Sequence, residues 1–113
     1  MALTIITQPT IAAGESLSSV LNLSAQNVGL LRITCPAAWS RNAWLTFQMS
    51  NDNTTFYDAY DYTGLIYVSR VVPNAMVVVR KELWRMCYVK FRSGSPEAPI
   101  PQSETRIFTC AIE

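Results

Sequence analysis

The chain has no histidine, so it lacks imidazole general acid–base catalysis, histidine-assisted nucleophiles and the commonest nitrogen ligands of metals. Charge is scarce too. Only 15% of the 113 residues are ionic, against roughly 25% in ordinary soluble domains. Seven Arg, two Lys, three Asp and five Glu leave a net charge of +1. That balance does not suit a nucleic-acid binder. A basic bias late in the chain, at Arg80, Lys81, Arg85, Lys90 and Arg92, is interrupted by Glu82 and reads as a solvated or protein-facing surface. So few charges give little colloidal repulsion, which favours self-association or a fixed place in an assembly.

Cysteine is limited to Cys35, Cys87 and Cys110, an odd and widely spaced set. This argues against a disulfide framework and predicts buried free thiols. No apolar run could span a bilayer, because the most apolar, Ala75 to Val79, meets Arg80 and Lys81. The opening MALTIITQPT is strand-like rather than a charged leader with an apolar core, which predicts residence inside a cell. Glycine-rich phosphate loops, zinc-finger spacings and repeated stacking motifs are missing. No cofactor, direct nucleic-acid contact or membrane contact is expected.

Half the residues are apolar or aromatic, enough for one core, and the length suits a single domain over residues 1–113. Helical periodicity is hard to find. Short runs rich in Val, Ile, Thr, Tyr and Phe instead recur between Pro, Gly and Asn, the pattern of an all-β chain. Strands are predicted over Leu3–Thr7, Leu17–Leu23, Val28–Thr34, Trp44–Ser50, Leu65–Val71, Ala75–Arg80, Met86–Arg92 and Arg106–Ile112. The clearest alternation sets Leu45, Phe47 and Met49 against Thr46, Gln48 and Ser50. In the second strand, for which a short helix from Ser16 is the alternative, Leu17, Ser19, Leu21 and Leu23 are expected on one face. In the third, Leu31 and Ile33 are expected opposite Leu30 and Arg32. The proline-rich stretch Ser93 to Gln102 reads as a long surface connection. One flat sheet would leave the Leu45, Phe47, Met49, Val89 and Phe91 set wet. Two antiparallel layers are therefore predicted, as a β-sandwich of jelly-roll or another Greek-key topology.

Few residues suggest chemistry. Asp52, Asp58 and Asp61, with Asn51 and Asn53, form weak candidates for a calcium site, but the loop lacks the internal glycine and terminal glutamate of a calcium-loop motif. Turn stabilisation is the simpler role. Cys87 and Lys90 are three apart in a strand and so face opposite ways. No spacing supports glycoside hydrolysis by the aspartates, and no catalytic residue is assigned. Trp39, Trp44, Phe56, Tyr57, Tyr60 and Tyr62 are dense enough to include a protein or glycan contact as well as core residues.

Several blocks, taken together, resemble small β-sandwich virion structural proteins of tailed bacteriophages and prophages. They are Gly14-Glu15-Ser16-Leu17-Ser18, Pro36-Ala37-Ala38-Trp39, Ala43 to Ser50 with Asp52 and Thr55-Phe56-Tyr57, Lys90-Phe91-Arg92-Ser93-Gly94, and Pro101-Gln102 with Arg106-Ile107. The resemblance covers most of the chain and carries no catalytic residues. It implies a capsid cement or decoration protein, or part of a head or tail projection, assembled into the virion in the bacterial host cytoplasm. The expected partner is the major capsid protein or another virion protein, with a homo-oligomer as the acting form. The alternative is a tail or head-fibre module that recognises a host glycan or protein. Extended backbone can add hydrogen bonds to a partner, so Met1 to Thr10 and Ser93 to Gln102 are contact candidates. The partner-binding candidates are Leu3, Ile5, Trp39, Tyr57, Tyr60, Tyr62, Pro96, Pro99 and Pro101.

Overall fold

A computed structural model describes residues 3–25, 28–40, 43–79 and 85–113. Arg80, Lys81 and Glu82 of the basic stretch lie outside the described residues, as do Met1 and Ala2 of the N-terminal contact segment. Within the described residues there are eleven strands and no helix. They are β1 (Thr4–Ile6), β2 (Thr10–Ile11), β3 (Leu17–Leu23), β4 (Leu30–Thr34), β5 (Leu45–Ser50), β6 (Tyr57–Asp58), β7 (Val68–Ser69), β8 (Met76–Val78), β9 (Cys87–Ser93), β10 (Arg106–Ile107) and β11 (Thr109–Ile112).

All pairings are antiparallel. The first sheet runs β1-β11-β4-β8. The second runs β3-β9-β5-β6, with β7 also pairing β5, and β10 pairs β2 in a small ribbon. Followed along the chain, each successive main strand crosses to the other sheet, except at β5 to β6 and β7, which stay together. That path is a jelly roll, a sandwich of two Greek keys, so it settles the choice the sequence left open.

The core lies between the layers because each sheet turns one face of its alternation inward. Leu30, Ile33 and Cys110 of the first sheet meet Leu21, Leu23, Leu45, Phe47, Val89 and Phe91 of the second. Phe108, between β10 and β11, closes the end. Its ring lies edge-on to Phe91 at 5.1 Å, and Phe91 is edge-on to Phe47 at 5.2 Å, separations at which ring edges and faces attract.

Two bulges correct the predicted faces. Between Leu17 and Val20 the register to β9 shifts, so two serines stand opposite Phe91. The Phe91 N–H donates to the Ser18 hydroxyl at 2.8 Å. An inserted residue reverses the alternation, and Leu17 leaves the face it was expected to share with Leu21 and Leu23. In β4, Ala111 opposes Arg32 while Ile112 opposes Leu30. Leu30 and Ile33 are therefore both buried, and Leu31 is displaced.

Other boundaries also differ. The predicted strand over residues 65–71 shrinks to β7, since residues 59–67 form a small hairpin inserted between β6 and β7. Met86 stands outside β9 with a positive φ of 55°. The proline-rich stretch is folded rather than extended. Gly94 N–H donates to Trp44 O at 2.7 Å, Ile100 N–H to Ser93 O at 2.9 Å and Gln102 N–H to Glu15 O at 3.0 Å.

Candidate functional site

Pairing register fixes what the outer face of the first sheet presents. Ile5 opposes Ala111, Ala111 opposes Arg32, and Arg32 opposes Val78, giving one row across all four strands. The next row holds Thr109, Thr34 and Met76. Outward positions of a sandwich are ordinarily polar. Here Ile5 is 56%, Met76 60% and Val78 81% exposed, with Leu3 and Ile107 also exposed nearby in sequence. Arg32 is half-buried among them.

The second feature is the hairpin on the edge of the other sheet. Ala59 N–H donates to Phe47 O at 2.9 Å, and Tyr67 N–H donates to Ala59 O at 2.9 Å. Asp58 pairs with Gln48 and Val68 with Thr46, so the chain leaves the edge and returns to it across a single residue of β5. Ala59 and Tyr67 at the base stay packed on the core, and residues 60–66 extend beyond the edge. Tyr60 bridges Ile66, and the tip is held by Asp61, whose Oδ1 accepts from Thr63 N–H at 2.8 Å, the Thr63 hydroxyl at 2.6 Å and Leu65 N–H at 3.1 Å. These bonds, the Thr63 hydroxyl first, hold the Asp61 carboxyl below its ordinary range. Gly64 supplies the positive φ of 88° that the turn needs. Tyr62 is fully solvent-exposed, and Tyr57, Tyr60 and Leu65 are exposed beside it in sequence.

The three aspartates do not converge. Asp52 closes its own turn, accepting from Thr54 and Thr55 N–H at 2.9 and 3.0 Å and from the Ser50 hydroxyl at 2.9 Å. Its carboxyl is likewise lowered, chiefly by the Thr55 N–H. Asp58 pairs with Arg92 at 2.7 Å. Arg92 Nε donates to the Thr46 hydroxyl at 3.0 Å, which in turn donates to Gly94 O at 2.7 Å. Among the described residues no three His, Cys, Asp or Glu side chains gather at a metal-sized site. No described helix is long and apolar enough to cross a membrane.

Sequence candidates separate into groups. Leu3, Ile5, Tyr57, Tyr60 and Tyr62 are exposed. Trp39 lies elsewhere: it packs on the core, edge-on to Phe108 at 5.7 Å, with its indole N–H donating to Ala43 O at 2.8 Å. Pro99 and Pro101 are exposed and Pro96 half-buried, on a loop pinned by fully buried Gln102. That amide donates to the Ser93 hydroxyl at 2.7 Å and accepts from Arg106 Nε at 2.9 Å. Cys35, Cys87 and Cys110 are buried free thiols, and burial raises all three.

Sequence reading missed Met76, Val78, Leu65 and a recess. Met76 and Val78 belong to a run apolar on both faces, which reads as interior until the pairing shows β8 at a sheet edge. The recess, about 330 Å³, is lined by Ala43, Trp44, Arg70, Val71, Val72 and Pro73. Arg70 lies over the Trp44 ring at 5.2 Å. No protein-family model, curated protein or solved structure matches the chain.

Proposed function

We propose that the chain is a non-enzymatic virion structural protein that cements or decorates an assembled capsid by binding the major capsid protein or another coat component. The observation that carries this reading is the outer face of the first sheet, where Ile5, Met76 and Val78 are exposed on the strands about half-buried Arg32 and Ala111 beneath them is buried. An apolar patch on a sheet face that should be polar marks a contact surface, and an arginine set among apolar groups is a common anchor in one. Covering Ile5, Met76 and Val78 contributes on the order of 1–2 kcal/mol each at their exposures. Association costs at least ~4 kcal/mol in lost freedom, so three side chains alone bind weakly. Linking copies into a homo-oligomer that engages several equivalent coat sites at once turns such a patch into firm adhesion.

The test is co-sedimentation of purified protein with cognate capsids, followed by heating the particles. Bound protein raises the temperature at which the capsids disrupt, and Val78→Asp or Ile5→Asp, both at exposed positions, weakens binding while the fold is retained. Failure of the unsubstituted protein to bind assembled capsids overturns the reading.

A second reading, a tail or head-fibre module for a host glycan or protein, is favoured by the projecting hairpin. Tyrosine rings held on a pinned turn offer large contact area at low ordering cost. Selective glycan binding that is lost in Tyr60→Ala, with folding intact, would support this reading over adhesion to the coat.

A further inference from the structure

Among the described residues, Arg32 makes no ion pair and no side-chain hydrogen bond. Three other arginines are engaged: Arg92 pairs with Asp58 at 2.7 Å, Arg106 Nε donates to Gln102 at 2.9 Å, and Arg70 lies over the Trp44 ring. The row of Arg32 across the first sheet runs Ile5, Ala111, Arg32, Val78, and the next holds Thr109, Thr34 and Met76. Neither row contains a carboxylate. Because Arg32 is only half-buried, water satisfies its N–H donors in the free protein.

Covering the face changes that. Exposed Ile5 and Val78 stand at the two ends of the row, three strand spacings or roughly 14 Å apart, with Arg32 between them. A partner that covers both covers the guanidinium too. A buried guanidinium without an acceptor is heavily penalised, so a purely apolar surface does not fit this face. A carboxylate does: its two oxygens match the planar fork of donors, and the aliphatic side chains on either side keep water from the pair. Charge opposes a second copy of the same face, since an isologous joint would bring two Arg32 side chains toward each other with no carboxylate from either row between them. A nucleic-acid backbone is also a poor match, because one cation in an apolar setting does not neutralise a run of phosphates. We infer that the outer face of β1, β11, β4 and β8 docks on a coat-subunit surface that presents an Asp or Glu carboxylate, set among apolar side chains, to Arg32. This rests on the capsid reading and adds to it the chemistry of the partner.

The experiment is co-sedimentation with cognate capsids over a range of salt concentrations, comparing the unsubstituted protein with Arg32→Met and Arg32→Gln, each checked for folding by circular dichroism. Arg32→Met keeps an apolar stem and removes the charge. It weakens binding roughly tenfold or more, as for a truncated charge-pair anchor, and so does Arg32→Gln. Binding of the unsubstituted protein falls with salt more steeply than that of either variant. Simple apolar adhesion predicts the opposite for Arg32→Met, because added apolar surface would hold or tighten the contact. If the unsubstituted protein binds and either folded variant binds equally well or better, the inference is overturned while the capsid reading stands. Weaker binding of the variants with an unchanged salt dependence would mean a neutral acceptor, which also overturns it. An oligomer of the free protein that Val78→Asp dissolves would seat a second copy on this face, with the same consequence. No binding by the unsubstituted protein removes the capsid reading and this inference together.

Discussion

Gly94 occupies a position that excludes every side chain. Its φ of 92° is in the left-handed region, and a Cβ there would lie 2.5 Å from Ala98 O and 2.7 Å from Ile100 N, both backbone atoms that cannot rotate away. Gly94→Ala is therefore expected to cost about 2 kcal/mol or more, read as a lower urea midpoint; an unchanged midpoint would contradict the packing described for the 94–102 loop. The thiols set the alkaline limit. Burial pushes Cys110 up to about 12 and raises Cys35 and Cys87, so the folded state holds protons that the unfolded chain releases nearer 9. Stability that is fully present below that ordinary value then declines as pH rises toward 12. Thermal midpoints across the alkaline range should fall, and thiol reagents should react only on unfolding; rapid labelling of Cys110 in the folded protein would refute this. Asp52 and Asp61 act oppositely: their lowered carboxyls help above the ordinary carboxylate range and lose that effect as pH falls through it. At this scale Asp52's role in its own turn was legible, because Asn and Asp in a short polar run bond their own backbone. The pairing of Asp58 with Arg92, 34 residues away, had no local signal.

Strands β5 and β9 were legible because their inward residues, Leu45, Phe47, Val89 and Phe91, alternate without interruption and are buried. β3 was legible in extent but not in facing. Its bulge depends on what Ser18 and Ser19 bond, and those partners come from distant chain: Ser18 accepts from Phe91, and Ser19 accepts from Thr10 N–H at 3.0 Å. Replacing Ser18, which is buried, removes the acceptor for a core amide. Ser18→Ala should cost about 1–3 kcal/mol, with faster hydrogen exchange at Phe91 than at Val89; equal protection of both amides would show that the hydroxyl is not what holds the bulge. The inserted hairpin was hidden for another reason. Its aromatic run read as contact or core residues, and nothing local says that the chain rejoins the edge it has just left.

Over the whole molecule, composition and period were enough for an all-β sandwich, because so much alternating apolar surface needs two layers. The jelly-roll path was not readable, since it depends on which strand pairs with which across the chain, as where β1 meets β11 at opposite ends of the sequence. Half of the surface argument was readable as well: Ile5 and the tyrosines stood out by type, while Met76 and Val78 became exposed only once β8 took an edge. The chain is nearly neutral, folds much apolar side chain inward and still leaves Ile5, Met76, Val78, Tyr62 and Leu65 outside, and the proposed adhesive role rests on those exposed side chains. The capsid reading is tested most directly by cryo-electron microscopy of the native particle. The account predicts ordered density for this sandwich at symmetry-related positions on the capsid, with the outer face of β1, β11, β4 and β8 against coat subunits. Particles whose capsid surface lacks that density, or on which that face is turned to solvent, would contradict it.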